Sequence, residues 1–236
     1  MSFLWNEIIY KPVYNLLLFF LDILPEASLG IAIILFTIVI RTILLAPAQK
    51  AMVQQRKMQK IQPKIKQLQD KHKNDQQKLS AEMMKLWKEN DVNPIAGCLP
   101  LLLQMPFLYA IFLILKDGIN EGTSRYAYSF FSQFDYSTIQ HTFFGIDLLQ
   151  PEMIFLPIIV AAFQFIQLKM MYHFQEQKQA APANDQQQMI QNTLLYVFPF
   201  ILFITSMTFS AGLALYWAGS TLYGIGQQLY VNKLIK

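Results

Sequence analysis

The sequence is poor in most of what enzymes of aqueous compartments use. It has one cysteine, three histidines and only 14% charged residues, against roughly a quarter in ordinary globular chains. A single cysteine excludes an intrachain disulfide and a Cys-rich metal site. Cys98 also sits in an apolar run far from the N-terminus, which excludes a lipoprotein acylation site. His72, His141 and His173 lie outside the long apolar segments or at their edges, so no Ser/His pair can form within them. There is no HExxH zinc motif, no glycine-rich phosphate loop and no carboxylate pair. The expectation is a protein that is not an enzyme, needs no cofactor or metal and carries no specific nucleic-acid motif.

Hydrophobic residues, by contrast, make up 54% of the chain, and their distribution places it in the membrane class. Residues 1–25 do not read as a secretory signal: no basic stretch precedes the apolar part, and Asp22 interrupts it just before Pro25. Val13–Leu24 is too short to span and reads as an interfacial helix of an outer segment 1–28, with Trp5, Tyr10 and Tyr14 at headgroup depth. Residues 29–46 reach about 27 Å as a helix, enough for a hydrocarbon core. Residues 94–115 and 154–171 are similar. Leu194–Tyr230 is near 55 Å by the same rise, and Ser210-Ala211-Gly212 divides it into spans 194–209 and 212–230. The fold class expected is an all-α membrane protein with five transmembrane helices.

Basic residues set the orientation. With the N-terminus outside and the C-terminus inside, segments 47–93, 169–193 and 231–236 are cytoplasmic and hold fifteen Lys or Arg. The outer segments hold three, Lys11, Lys116 and Arg125. That asymmetry follows the positive-inside rule. The connections are an outer loop 116–153, a cytoplasmic loop 172–193 and a short tail 231–236. Residues 47–93 read as a cytoplasmic helical hairpin. Met58, Ile61, Ile65 and Leu68 recur at helical spacing, as do Leu79, Met83 and Leu86. Pro63 is expected to kink or restart the first arm. Gln175–Gln188 is low-complexity and reads as mobile.

Arg41 is the sharpest candidate site residue. A charge in mid-span costs roughly 2.5–3.5 kcal/mol on insertion scales, and no Asp or Glu falls in any of the five spans to pair with it. It either snorkels to the nearby interface past Pro47 or faces a wet interior. Gln104 sits mid-span, and Gln164, Gln167 and Met171 share one face of the third span. On the fifth, Tyr216, Ser220 and Gln227 form one stripe and Trp217, Thr221 and Gln228 its neighbour. Taken singly, each residue can serve as an interhelical hydrogen bond worth about 0.6 kcal/mol. Together, uncharged amides around a lone arginine suit a hydrophilic groove.

Three stretches resemble the YidC family, which includes the mitochondrial Oxa and chloroplast Albino insertases. They are IVIRTILLAP (Ile38–Pro47), the run Met58–Pro106 with NPIAGCLP before the second span, and GLALYWAGSTLYGIGQQ (Gly212–Gln228). Their order and spacing agree with the family from Trp5 onward. Two places depart from it: Phe209-Ser210-Ala211-Gly212, where a proline is usual, and Thr221, where asparagine is common. The chain also has no large domain before the first span and no long basic tail. The resemblance implies a membrane protein insertase of a bacterial-type inner membrane, with a groove open to cytoplasm and lipid and Arg41 as its central charge. Nascent membrane proteins would be clients of the groove, received through the hairpin, and the ribosome and the Sec translocon would be partners. The alternative is a small-solute (anion) channel or transporter, and a purely structural assembly factor is a further rival.

Overall fold

A computed structural model describes residues 3–73, 75–93, 99–176, 189 and 192–234. Most of the NPIAGCLP motif, including Cys98, and residues 177–188 of the low-complexity stretch lie outside the described residues. The chain is all-α in character. A first turn α1 (Phe3–Trp5) and a wider turn Asn6–Tyr10 lead into α2 (Lys11–Ile23). Then follow α3 (Leu29–Ile43), α4 (Leu45–Lys71), α5 (Gln76–Glu89) and α6 (Leu99–Asp117). The last three helices are α7 (Phe155–Glu176), α8 (Phe198–Ser206) and α9 (Ala211–Leu234). Sequence patterning did not foresee β1 (Thr142–Phe143) and β2 (Ile146–Asp147), a minimal antiparallel hairpin in the 116–153 loop.

The main core gathers Leu17 and Leu18 of α2, Ile33 and Phe36 of α3, Ile111 and Ile114 of α6, Val160 of α7 and Tyr216 of α9. The closest associations are α9 with α7, α7 with α8, and α9 with α3. Two features add to the sequence reading. Tyr10 and Tyr14, expected at headgroup depth, are buried within the protein. The 116–153 loop folds over them: Tyr14 shares a 2.9 Å hydrogen bond with Thr123, and Asn15 donates to the Tyr126 carbonyl and accepts from the Tyr128 N–H. Burial pushes the Tyr10 hydroxyl up to about 12, helped by the nearby Asp117 charge. The second is Pro63, where of the kink or restart expected the restart is absent; the helix continues through it. Ile61 and Ile65 flank Pro63 and are both buried with Leu86 and Val92, and that packing holds the arm in one helical register.

Among the described residues, no single helix is both long and apolar enough to cross a membrane. Leu29–Ile43 and Leu45–Lys71 meet the test as a pair bent by 63°. The break has a local cause: Pro47 offers no N–H to the carbonyl of Ile43, and its ring crowds that carbonyl. Leu44 accordingly leaves the helical region, with φ −82° and ψ 2°. The long helix α9 falls short in apolarity because it carries the tyrosine, serine, threonine and glutamine positions of the two candidate stripes.

Candidate functional site

The candidate polar residues line up along α9, and the stripe Tyr216–Ser220–Gln227 is the one its neighbours engage. These positions recur at four and seven residues, so they share one helical face. The Arg41 Nε–H of α3 donates to Ser220 Oγ at 2.6 Å. Ser220 is the tenth residue of the 24 in α9, so the guanidinium is held about 14 Å along a helix of about 36 Å. The side chain thus turns across to α9 and does not run along α3 to its end. Among the described residues no carboxylate forms an ion pair with Arg41.

One turn from Ser220, the Gln104 Nε2 of α6 donates to the Tyr216 hydroxyl. Tyr216 is only 1% exposed and packs beside Phe36. Gln104 Oε1, on the other side of the amide, is buried without a partner among the described residues. A buried acceptor in that state is costly unless water or a ligand meets it. In the other direction, Tyr223 shares a 3.2 Å hydrogen bond with Thr42. Sequence reading missed Tyr223, although it stands seven residues from Tyr216 on the same face. Farther on, Gln227 Nε2 reaches the Leu45 carbonyl at 3.4 Å, beside the α3–α4 break.

The glutamines of α7 approach α9 at Gly224. Gln164 Nε2 lies 3.5 Å from Gln167 Oε1, and a Cβ on Gly224 would stand 2.5 Å from Gln167 Nε2. The glycine therefore makes room for the amide. Met171, on the same face of α7, receives Gln55 at its sulfur and Gln59 at its carbonyl, which ties α4 to α7. The neighbouring stripe behaves differently. The Thr221 hydroxyl bonds its own helix at the Trp217 carbonyl, 2.9 Å away, and Trp217 is half-buried against the core. Thr205, Ser206 and Thr208 likewise turn back on carbonyls of their own segment.

Beside the bundle, a cleft of about 440 Å³ lies at the base of the α4–α5 hairpin, lined by Gln54, Met84, Trp87 and Asp91 among others. Lys57 and Asp91 pair next to it at 2.9 Å. Among the described residues no cluster of His, Cys, Asp and Glu could hold a metal ion.

A family model described as 60Kd inner membrane protein matches residues 20–236. Membrane protein insertase YidC of Fusobacterium nucleatum subsp. nucleatum is 33% identical over 228 residues, covering 94% of this chain and 97% of its own. The protein of that name from Oceanobacillus iheyensis is 33% identical over 98% of this chain and 84% of its own. That of Rickettsia canadensis is 29% identical over 98% of this chain but only 40% of its own length.

Proposed function

The chain belongs to the 60Kd inner membrane protein family of YidC insertases, and on that premise we propose that it passes client segments along the α9 stripe centred on Arg41. It is a membrane protein insertase of a bacterial membrane. Five crossings, with the N-terminus outside and the C-terminus in the cytoplasm, place residues 47–93 on the side where nascent chains arrive. A client enters with its polar flank near Arg41 and its apolar part slides into lipid beside α7 and α9. The client's own burial of apolar surface, at about 25 cal/mol per Å², drives the transfer. The stripe lowers the barrier for the polar flank, which would otherwise lose its hydration all at once.

The observation that carries this reading is the guanidinium held partway along α9 on a neutral serine, with no carboxylate among the described residues to neutralise it. A cation so placed attracts acidic groups awaiting translocation. Gln104, Gln164, Gln167, Tyr216, Ser220 and Gln227 supply neutral donors and acceptors along the route, and the Gln104 acceptor, without a partner among the described residues, is a contact point for a client amide. Trp217 and Thr221 flank it. Ribosome and Sec translocon are the partners that deliver clients. No step makes or breaks a covalent bond, so no cofactor is required.

Site-specific photo-crosslinking tests this. A photoreactive residue at Gln167 should crosslink to a nascent client during translation, and the same residue at Phe19, on α2, should not. A crosslink at neither position, together with solute flux through proteoliposomes, would support the channel reading instead.

A further inference from the structure

The hairpin β1–β2 pairs Phe143 with Ile146 and leaves Phe144-Gly145 as its two-residue turn. Both turn residues have positive φ, 48° at Phe144 and 78° at Gly145. Such a turn suits the twist of a hairpin, but its first position favours Asn, Asp or Gly. A bulky aromatic residue there is a genuine backbone outlier, and strain of this kind persists where something else requires it.

Among the described residues, packing supplies little of that requirement: the Phe144 ring meets the adjacent Phe143 ring edge-on, with centroids 4.6 Å apart. Phe144 is 90% exposed, the most exposed large apolar side chain among the described residues. Its neighbour Phe143 docks the hairpin. The Phe143 ring lies against Gly30, where an added Cβ would fall 2.3 Å from the ring. Backbone bonds from Leu29 to the Gln140 carbonyl, and from Gln140 to the Ala27 carbonyl, hold the approach to β1 at the first turn of α3. That turn is where the apolar run of α3 begins. Within a few residues of the contact the chain also exposes Ile23 and Ile31. With α3 crossing the membrane as proposed above, the turn lies level with the place where that helix passes from water into hydrocarbon.

We propose that the Phe144-Gly145 turn is a lipid anchor, with the Phe144 ring inserted among acyl chains just below the headgroups beside the start of α3. The partner is the bilayer itself. An aromatic side chain at that depth gains apolar contact while the turn backbone stays in the hydrated headgroup layer. The anchor fixes the 116–153 loop to the membrane surface next to the bundle. It rests on the proposed placement of the start of α3 at a membrane face.

The full-length chain carrying Cys98→Ser and Phe144→Cys, labelled with a small apolar fluorophore and reconstituted in phosphatidylethanolamine–phosphatidylglycerol vesicles, tests the depth. Nitroxide on shallow acyl positions should remove most of the emission, and iodide in the water little of it. Quenching by iodide that exceeds quenching by nitroxide overturns the anchor. Nitroxide confined to one leaflet separates the two readings: quenching only from the cytoplasmic leaflet keeps the anchor and overturns the orientation proposed above. Phe144→Asn gives a label-free arm, because asparagine suits the turn and cannot insert. In vesicles the amides of residues 142–147 should then exchange faster than in the parent chain. Slower exchange, the result expected if strain relief were the whole effect, overturns the proposal.

Discussion

At Arg41 the proposed role rests on charge. Its bond is one Nε–H to a serine hydroxyl, so the planar two-pronged grip that distinguishes arginine from lysine is not engaged by any carboxylate among the described residues. Arg41→Lys should keep most insertion activity. Arg41→Ala should reduce insertion of clients with acidic translocated segments roughly tenfold, equivalent to about 1.4 kcal/mol, and leave clients without acids nearly unaffected. Thermal stability should change by no more than about 1 kcal/mol, since losing an unpaired charge from a low-dielectric site offsets the lost bond. The measurement is insertion of matched client pairs at equal insertase abundance. Equal insertion of both clients by Arg41→Ala would remove the electrostatic role. Arg41 was legible in the sequence because a lone cation in an apolar run is conspicuous. The choice of Ser220 over Thr221 as its partner was not, because both stripes of α9 carry similar residues and only the packing of α3 and α6 selects one.

At the scale of the element, the periodicities survive best where a helix has one apolar face. Ile61, Ile65 and Leu86 were read from spacing and meet in the small hairpin core, while Trp87 and Val92 join it from positions outside that spacing. Of the kink or restart expected at Pro63, the restart does not occur, because the local penalty of proline says nothing about the isoleucines on either side that hold the arm. The departure at Ser210-Ala211-Gly212 also has a reason that spacing cannot reveal. The N–H groups of Ala211 and Gly212 each donate to the 116–153 loop, at the Gln150 and Leu148 carbonyls, and a proline at either would forfeit that bond. The start of α7 gives the element-scale prediction. Glu152 accepts the N–H groups of Ile154, Phe155 and Leu156 at 2.7–2.9 Å, an anion where a helix N-terminus favours one. Burial alone would raise its carboxyl, and the three backbone bonds outweigh that and hold it below the ordinary 4.5. A carboxylate with a depressed folded value stabilises above its unfolded value, and that contribution is lost as pH falls through the folded one. Amide protection at residues 154–156, measured against the intrinsic exchange rate at each pH, should therefore be high at pH 7 and fall in acid below that value. Glu152→Ala should destabilise the helix start by about 1 kcal/mol and remove the acid dependence.

At the scale of the whole molecule, the all-α class and the separate hairpin follow from composition and period alone. The covering of α2 by the 116–153 loop does not, because it depends on contacts such as Tyr14 with Thr123, 109 residues apart. Topology remains the broadest test. In a Cys98→Ser background, a cysteine at Lys73 should resist an impermeant thiol reagent added outside intact cells, and one at Ser137 should react. Reaction at Lys73 would reverse the orientation. The break at Leu44 bears on what that hairpin can do. Helix α4 runs 27 residues from the break, about 40 Å at 1.5 Å per residue. A ten-degree rotation about Leu44 carries its far end through roughly 7 Å, yet moves the backbone at Arg41, three residues away, by less than about 1 Å. Leu44 is in that sense a fulcrum set hard against the charge, and a movement of the distant arm arrives at Arg41 with its amplitude almost entirely removed.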